Sequence, residues 1–405
     1  MSHTTAYLQS LPTLLDADIS TLVNYIVHDA VQLGGSDIHF EPWEESMAVR
    51  VRASGQLIEM VHLPSDLKEK ISGRFKVMAN LASHLSGVPQ DGKVNMGPEF
   101  NNVQLRVSIF PTVLGEKVVC RIFDPSTRTF DIDRLGLDPE TKEKFIRLVN
   151  KPNGLILLTG PTGSGKTTAI YSALHYLLQK HGTSVAIASV EDPVEVPIPT
   201  VSQAQLNPAQ DFTFASALRS LMRQDPQIIM VGEIRDPETA GIAVQAGLTG
   251  HLVISTVHSG TTAGVFARLI NMGIEPFLLS SSILGVMGVR LVRKNCTFCA
   301  IPYEPEPALL RNLSAEEIEN ASFRKGSGCP ECKETGYSGR FSITELLEVS
   351  EPVRDAVMEK RATRTIQEIA SAQGMRTLWQ NGLARALAGD TTLEEVTRKV
   401  ASDQI

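Results

Sequence analysis

The sequence predicts an α/β chain in which a parallel sheet built around a phosphate loop follows a smaller α+β module. Three observations carry that prediction. Four apolar runs, residues 155–159, 185–190, 228–231 and 252–257, alternate with helical patterns. Each is apolar on both faces, as strands of a helix-covered parallel sheet are, and each ends in a polar cluster where such sheets hold ligands. Residues 160–168 read Gly-Pro-Thr-Gly-Ser-Gly-Lys-Thr-Thr and match G-x-x-x-x-G-K-[ST] between the first run and a helical stretch at 169–179. The strand signals ahead of residue 124 come as hairpins rather than crossovers.

The elements follow in order. Ile19, Leu22, Val23, Ile26, Val27, Ala30 and Val31 form an amphipathic helical stripe that Gly34-Gly35 ends. Ile38 and Phe40, then Met47, Val49 and Val51, alternate with polar residues up to a turn at Ser54-Gly55. A helix over 66–81 comes next, then alternation at Val103, Leu105, Val107 and Ile109 and a last strand over 117–123. The reading is a module at 1–124, a polar linker at 125–138, a phosphate-loop domain at 139–290, a cysteine-bearing subdomain at 291–340 and a small helical region at 341–405.

Of 405 residues, 42% are hydrophobic and 20% charged, an ordinary globular composition. No Lys or Arg precedes Arg50, and the seven acids of that segment account for the whole net charge of −7. The remainder is neutral, so a basic footprint for nucleic acid is missing. A solvated acidic face is the simplest reading of the segment. Without a positive n-region a secretory signal is excluded. The apolar stretch 275–290 is too short to cross a bilayer, so the expectation is a cytosolic chain that meets a membrane only through partners.

The phosphate loop implies a nucleoside triphosphate. Gly160, Gly163 and Gly165 permit the tight turn; Pro161, Thr162, Ser164 and Thr168 complete the cradle. Lys166 would reach the β- and γ-phosphates and Thr167 would ligate Mg²⁺. Glu233, at the end of the run 228–231, is placed to orient the attacking water; the rival reading is a surface acid capping the next helix, for which Asp236 is better placed. Glu191 and His258 also end strands. They suit an outer-sphere Mg²⁺ contact and a γ-phosphate sensor, and equally well ordinary strand-end punctuation. Cys296, Cys299, Cys329 and Cys332 form two Cys-x-x-Cys knuckles that fit a closed structural Zn²⁺ site, with a helical insertion around 314–322. A redox dithiol is the rival, but one pair would suffice for it. Cys120 reads as a buried core residue.

In their order, the boxes resemble those of the secretion ATPases of type II secretion and type IV pilus assembly. Residues 160–168 resemble the family's Walker A box, 190–195 (Val-Glu-Asp-Pro-Val-Glu) its aspartate box, 218–236 its Walker B box and 247–258 its histidine box. Residues 34–39, 89–92 and 105–108 of the module match as well. The resemblance implies a RecA-like motor domain behind a PAS-like module, in a cytoplasmic homohexamer peripheral to the inner membrane. It implies ATP hydrolysis driving pseudopilus or pilus subunit assembly, and recruitment by inner-membrane platform proteins. It further implies that Arg106 and Arg121 swing over the phosphates; from the residues alone, both read as solvated strand arginines. The chain begins close to its first helix, as pilus retraction motors do. The four cysteines, which those motors typically lack, favour an assembly or secretion motor. A nucleotide-switched scaffold with little turnover is the rival from another class.

Overall fold

The computed structural model describes residues 2–53, 55–123, 130–311 and 313–400; Ser54 of the expected turn, Asp124 at the end of the expected module and residues 125–129 of the expected linker lie outside them. The chain divides into two compact units, Met1–Arg128 and Thr129–Ile405.

The first unit contains α1 (His3–Ser10), α2 (Ile19–Gln32), β1 (Gly35–Pro42), β2 (Ser46–Ala53), β3 (Gln56–Pro64), α3 (Lys68–Met78), β4 (Gln90–Asn95), β5 (Gln104–Thr112) and β6 (Gly115–Phe123). Its strands form one antiparallel sheet ordered β3-β2-β1-β6-β5-β4. The stripe read from sequence is the buried face of α2, which Asp18 caps by accepting the Thr21 N–H at 2.8 Å. It packs with Phe75 of α3 on Ile38, Phe40, Val49, Val107 and Cys120. The first helix, α1, was not foreseen because residues 3–10 carry no apolar stripe. Its N-terminus is instead held by Asp29 of α2, whose carboxylate accepts the N–H groups of His3 (3.0 Å) and Thr4 (2.8 Å).

The second unit begins with α4 (Pro139–Val149), β7 (Gly154–Thr159), α5 (Lys166–His181), β8 (Ile187–Glu191), β9 (Ser202–Gln205) and α6 (Phe214–Leu221). It continues with β10 (Ile228–Val231), α7 (Pro237–Leu248), β11 (Leu252–Thr256), α8 (Gly264–Asn271), α9 (Pro276–Ser282) and β12 (Ile283–Asn295). The cysteine region adds β13 (Ala300–Pro302), α10 (Pro307–Leu310), α11 (Ala315–Glu319) and β14 (Arg324–Gly326). The chain then closes with β15 (Tyr337–Glu348), α12 (Glu351–Met358), α13 (Thr363–Ala372), α14 (Leu378–Leu387) and α15 (Leu393–Val400).

The large sheet runs β15-β12-β7-β11-β10-β8-β9 and is parallel except for β15 against β12. Each of the four predicted runs supplies one of its strands. On β7, Leu155 and Leu157 face the core under α6, α7 and α8, while Ile156 and Leu158 face the core under α4 and α5. That two-sided burial is why these runs lack alternation. Strands β9, β12 and β15 were missed for the opposite reason. β9 is a short polar edge strand. β12 and β15 interleave Gly, Ser, Thr, Arg and Glu with apolar residues, so no unbroken run marks them.

Beyond β12, helices α14 and α15 pack on Val292 and Ile343. Glu395 of α15 is fully buried there, accepting from Arg293 (2.8 Å) and Arg398 (2.5 Å). Burial works to raise its pKa, but the hydrogen bonds and charges of Arg293 and Arg398 prevail and hold it below the ordinary glutamate value. A depressed folded pKa stabilises the protein above the unfolded glutamate pKa of about 4.3, and that stabilisation is lost as pH falls through the folded value. Glu395→Gln should therefore cost about 3 kcal/mol at neutral pH, because it leaves a buried guanidinium without its charge partner. It should also flatten the acid limb of a stability–pH curve measured by urea unfolding.

Candidate nucleotide site and cysteine centre

The phosphate loop leaves β7 at Thr159 and enters α5 at Lys166. Three of its residues need φ values that favour glycine: Gly160 (+148°), Gly163 (+74°) and Gly165 (+100°). At Gly160 the need is also steric, since a Cβ would lie 2.5 Å from the Val289 carbonyl oxygen and 2.7 Å from Ser164 Oγ. Gly165 caps α5 in the left-handed conformation, so the first N–H groups of the helix open onto the loop. Lys166 Nζ donates to the carbonyls of Gly160 (2.8 Å) and Pro161 (3.0 Å) across the concavity. Burial pulls its pKa down, with Arg290 adding to that effect and Glu233 opposing it. The Ser164 hydroxyl is buried without a hydrogen-bond partner among the described residues, an open donor inside the loop. Thr167 is half-buried on the first turn, and Pro161, Thr162, Gly163 and Thr168 are exposed. These groups suit a polyphosphate.

Next to the loop, the carboxyl ends of β10 and β11 are tied together around Glu233. Thr256 Oγ1 donates to the Gly232 carbonyl at 2.9 Å, and the Ile234 N–H donates to the Thr256 carbonyl at 2.8 Å. The backbone on both sides of Glu233 is thereby fixed. Its carboxylate pairs with Arg235 and lies 3.6 Å from His258 Nε2. Asp236, not Glu233, caps α7, accepting the Thr239 N–H at 2.8 Å.

Glu191 has a different setting. It is buried at the end of β8, and its two oxygens accept from Tyr171 of α5 (2.5 Å), Ser189 (2.6 Å) and Gln203 of β9 (3.0 Å). Burial and the adjacent carboxylate raise the Tyr171 hydroxyl far above its ordinary pKa, so it stays the donor.

Arg106 and Arg121 lie in the first unit, opposite each other on β5 and β6, with Arg121 opposite Asp37 of β1. Arg121 Nε donates to Asp37 Oδ1 at 3.1 Å and the side chain is more than half exposed.

Sequence reasoning did not single out Arg235, Tyr171, Gln203, Thr159 or Arg290. Arg235 stands two residues beyond Glu233, a spacing that was available to be read. Thr159 directly precedes the phosphate loop, while Tyr171, Gln203 and Arg290 lie on other elements and meet the site only after folding.

The four predicted cysteines converge, with all Sγ atoms within 4.8 Å of one another. Individual separations are 3.8 Å (Cys296–Cys329), 3.7 Å (Cys299–Cys332) and 3.6 Å (Cys329–Cys332). Zn–S bonds of about 2.3 Å in a tetrahedron put sulfurs about 3.8 Å apart, so the cluster fits Zn²⁺. Burial works to raise the Cys332 thiol, but the N–H groups of Cys329 (3.2 Å) and Gly336 (3.3 Å) aimed at its sulfur prevail and bring it down to about 7. A second group, His3, His28 and Asp29, also gathers ligand atoms, but both oxygens of Asp29 are engaged in capping α1.

A seven-stranded sheet with a phosphate loop on a central strand and a carboxylate just past the end of β10, two strands away, defines a P-loop nucleotide-binding protein. The chain belongs to the type II/IV secretion system protein family, whose model matches residues 14–398. The type IV pilus assembly ATPase PilB of Thermus thermophilus is 42% identical over 393 residues, 96% of this chain and 44% of that one. The type II secretion system protein E of Xanthomonas campestris is 43% identical over 389 residues, 95% and 67% of the two chains. Against the first of these, then, the chain spans under half the relative's length. The crystal structure of the pilus retraction motor PilT with bound ADP superposes with a TM-score of 0.62 at 25% identity, covering 92% of this chain and 95% of that one.

Gly160→Ala should test the loop seat. A Cβ against the Val289 carbonyl, at a φ that alanine resists, is expected to cost about 1–3 kcal/mol in thermal unfolding. Affinity for a fluorescent ATP analogue should fall at least tenfold in the same variant.

Proposed function

We propose that this chain is an ATP-hydrolysing motor that powers assembly of pseudopilus or pilus subunits, with type II secretion as the first reading and pilus extension as the alternative. The observation that carries it is the phosphate loop standing beside Glu233 in a member of this family. Support for an adenine nucleotide comes from the ADP bound by PilT. The secretion and pilus readings share the same support, because relatives named for each match the chain equally well.

In this reading the loop N–H groups and Lys166 hold the β- and γ-phosphates, and Thr167 would hold Mg²⁺. That ion, when bound, neutralises the charge spread over the transferred group. Glu233 orients water and takes its proton as the water oxygen attacks the γ-phosphorus and the bond to the ADP oxygen breaks. His258 and Arg235 keep the Glu233 carboxylate in place. The family resemblance assigns Arg106 and Arg121 as further cations for the γ-phosphate, a role that suits the charge spread over the transferred group. Of the two readings of Glu191, an outer-sphere Mg²⁺ contact or a strand-end residue, its hydrogen bonds with Tyr171, Ser189 and Gln203 support the second, a strut between α5, β8 and β9. The working form is a homohexamer at the cytoplasmic face of the inner membrane, recruited by platform proteins and independent of nucleic acid. Among the described residues no helix is long and apolar enough to cross a membrane.

Glu233→Gln should lower kcat at least a hundredfold while ATP affinity changes less than threefold; equal turnover by wild type and variant would sink the assignment of the base. In cells, Lys166→Ala should abolish either surface pili or secreted enzymes, and scoring both in one culture decides which machine the motor serves. The cysteine centre is expected to hold about one zinc per chain. Removing it with a chelator should lower the unfolding temperature by several degrees, without Glu233 being touched.

A further inference from the structure

β12 lies parallel to β7, with Gly288 beside Thr159, and it continues past the end of that strand. Its next residues, Val289 and Arg290, therefore flank the first turn of the phosphate loop. Arg290 is only 4% exposed. Its Nη1 donates to the Val289 carbonyl at 3.0 Å and lies 2.8 Å from where a Cβ on Gly160 would be. Its Nη2 donates to the Gly260 carbonyl at 3.1 Å.

Gly260 belongs to the loop that leaves β11 and carries His258. That loop is tied twice to the last residue of β7: Thr159 Oγ1 donates to the Ser259 carbonyl at 2.8 Å and accepts the Ser259 N–H at 3.0 Å. Val257, just before His258, donates its N–H to the Leu158 carbonyl at 2.9 Å. On the far side, Thr262 Oγ1 donates to the buried carboxylate of Glu345. Between these ties the imidazole of His258 is half exposed, within 3.6 Å of Glu233. The Arg290 bond thus joins the Thr159 and Val257 bonds in tying this loop to the side of the sheet that carries the phosphate loop.

We propose that Arg290 is a positioning residue for the proposed hydrolysis: its fork-shaped guanidinium spans from the Val289 carbonyl, which abuts Gly160 of the phosphate loop, to the Gly260 carbonyl, and so holds His258 at Glu233. The inference rests on the reading of Glu233 and His258 as parts of a hydrolytic site. A lysine keeps the charge behind the loop but has no rigid two-ended fork, so Arg290→Lys separates charge from geometry. Holding Glu233 and His258 in register matters most when charge moves in the transition state, so the loss should fall on kcat rather than on substrate binding.

The test is steady-state ATP hydrolysis by the full chain carrying Arg290→Lys, His258→Ala or both. Arg290→Lys is expected to lower kcat about tenfold or more, with KM for ATP within threefold and the unfolding temperature within a few degrees of wild type. Added to His258→Ala, it should cost less than a further twofold, since both act through one loop. Thr159→Val, which removes both hydroxyl bonds to Ser259, should behave as Arg290→Lys does, and carries the same cycle if the arginine variant fails to fold. The proposal is overturned if Arg290→Lys keeps kcat within twofold of wild type, if its effect multiplies fully with that of His258→Ala, or if KM rises in proportion as kcat falls. Wild-type turnover by both Glu233→Gln and His258→Ala would instead overturn the underlying reading. An impaired His258→Ala beside an unimpaired Arg290→Lys overturns this proposal alone.

Discussion

The carboxyl edge of the large sheet depends on how closely β7 and β12 approach at Gly160. The Val289 carbonyl occupies the space a side chain would need there, so the chain can turn out of β7 only at a glycine. That contact fixes where the loop begins. The left-handed Gly165 then fixes where α5 begins, and with it the direction in which the free N–H groups point. The remaining parts of the site are placed relative to this frame by short side-chain ties, Thr159 to Ser259 and Thr256 to Gly232. Each is a hydroxyl at a strand end satisfying a backbone group that the ladder leaves open. The rigidity of the site is therefore a property of strand ends, with little contribution from the loops themselves.

Against that frame, the two acids read from sequence part company. Glu191 and Glu233 follow the same pattern, a carboxylate just past an apolar strand. Glu191 is the last residue of its strand and packs under α5, where Tyr171, Ser189 and Gln203 surround it. Glu233 lies two residues beyond Val231, after a glycine, where its carboxylate meets Arg235 and His258 instead. One residue of strand register turns a side chain from one face to the other, and strand boundaries are the least legible feature of a sequence. The motif could name both residues without saying which would be spent inside the fold.

What was legible follows the same logic. The phosphate loop, the four central strands, α2, the Asp236 cap and the cysteine knuckles are local patterns, fixed by residue type at close spacing. What was not legible is non-local. Edge and flanking strands β9, β12 and β15 draw their burial from neighbours far along the chain. Arg290 gains its setting only because β12 adds next to β7. The first helix, α1, exists because an aspartate in α2 accepts the N–H groups of His3 and Thr4. A propensity argument sees only the weak helical pattern of residues 3–10.

The cysteine centre shows the converse, a site whose sequence signal is strong because its surroundings contribute little. Between Cys296 and Cys332 the regular elements are short, a three-residue ladder of β13 against β14 and two brief helices. Few apolar side chains there are buried, so packing alone supplies little folding energy. The geometry compensates at the sulfurs. Their separations match a tetrahedral metal site, and two backbone N–H groups aim at Cys332, favouring the thiolate that a metal ligand must be. A metal held by all four sulfurs would have no position open for water or substrate. Such a centre is built to hold a fold together. β12 enters this region directly after Arg290 and β15 returns from it antiparallel to β12, so the cysteine centre joins the strand that seats the phosphate loop to that strand's outer neighbour.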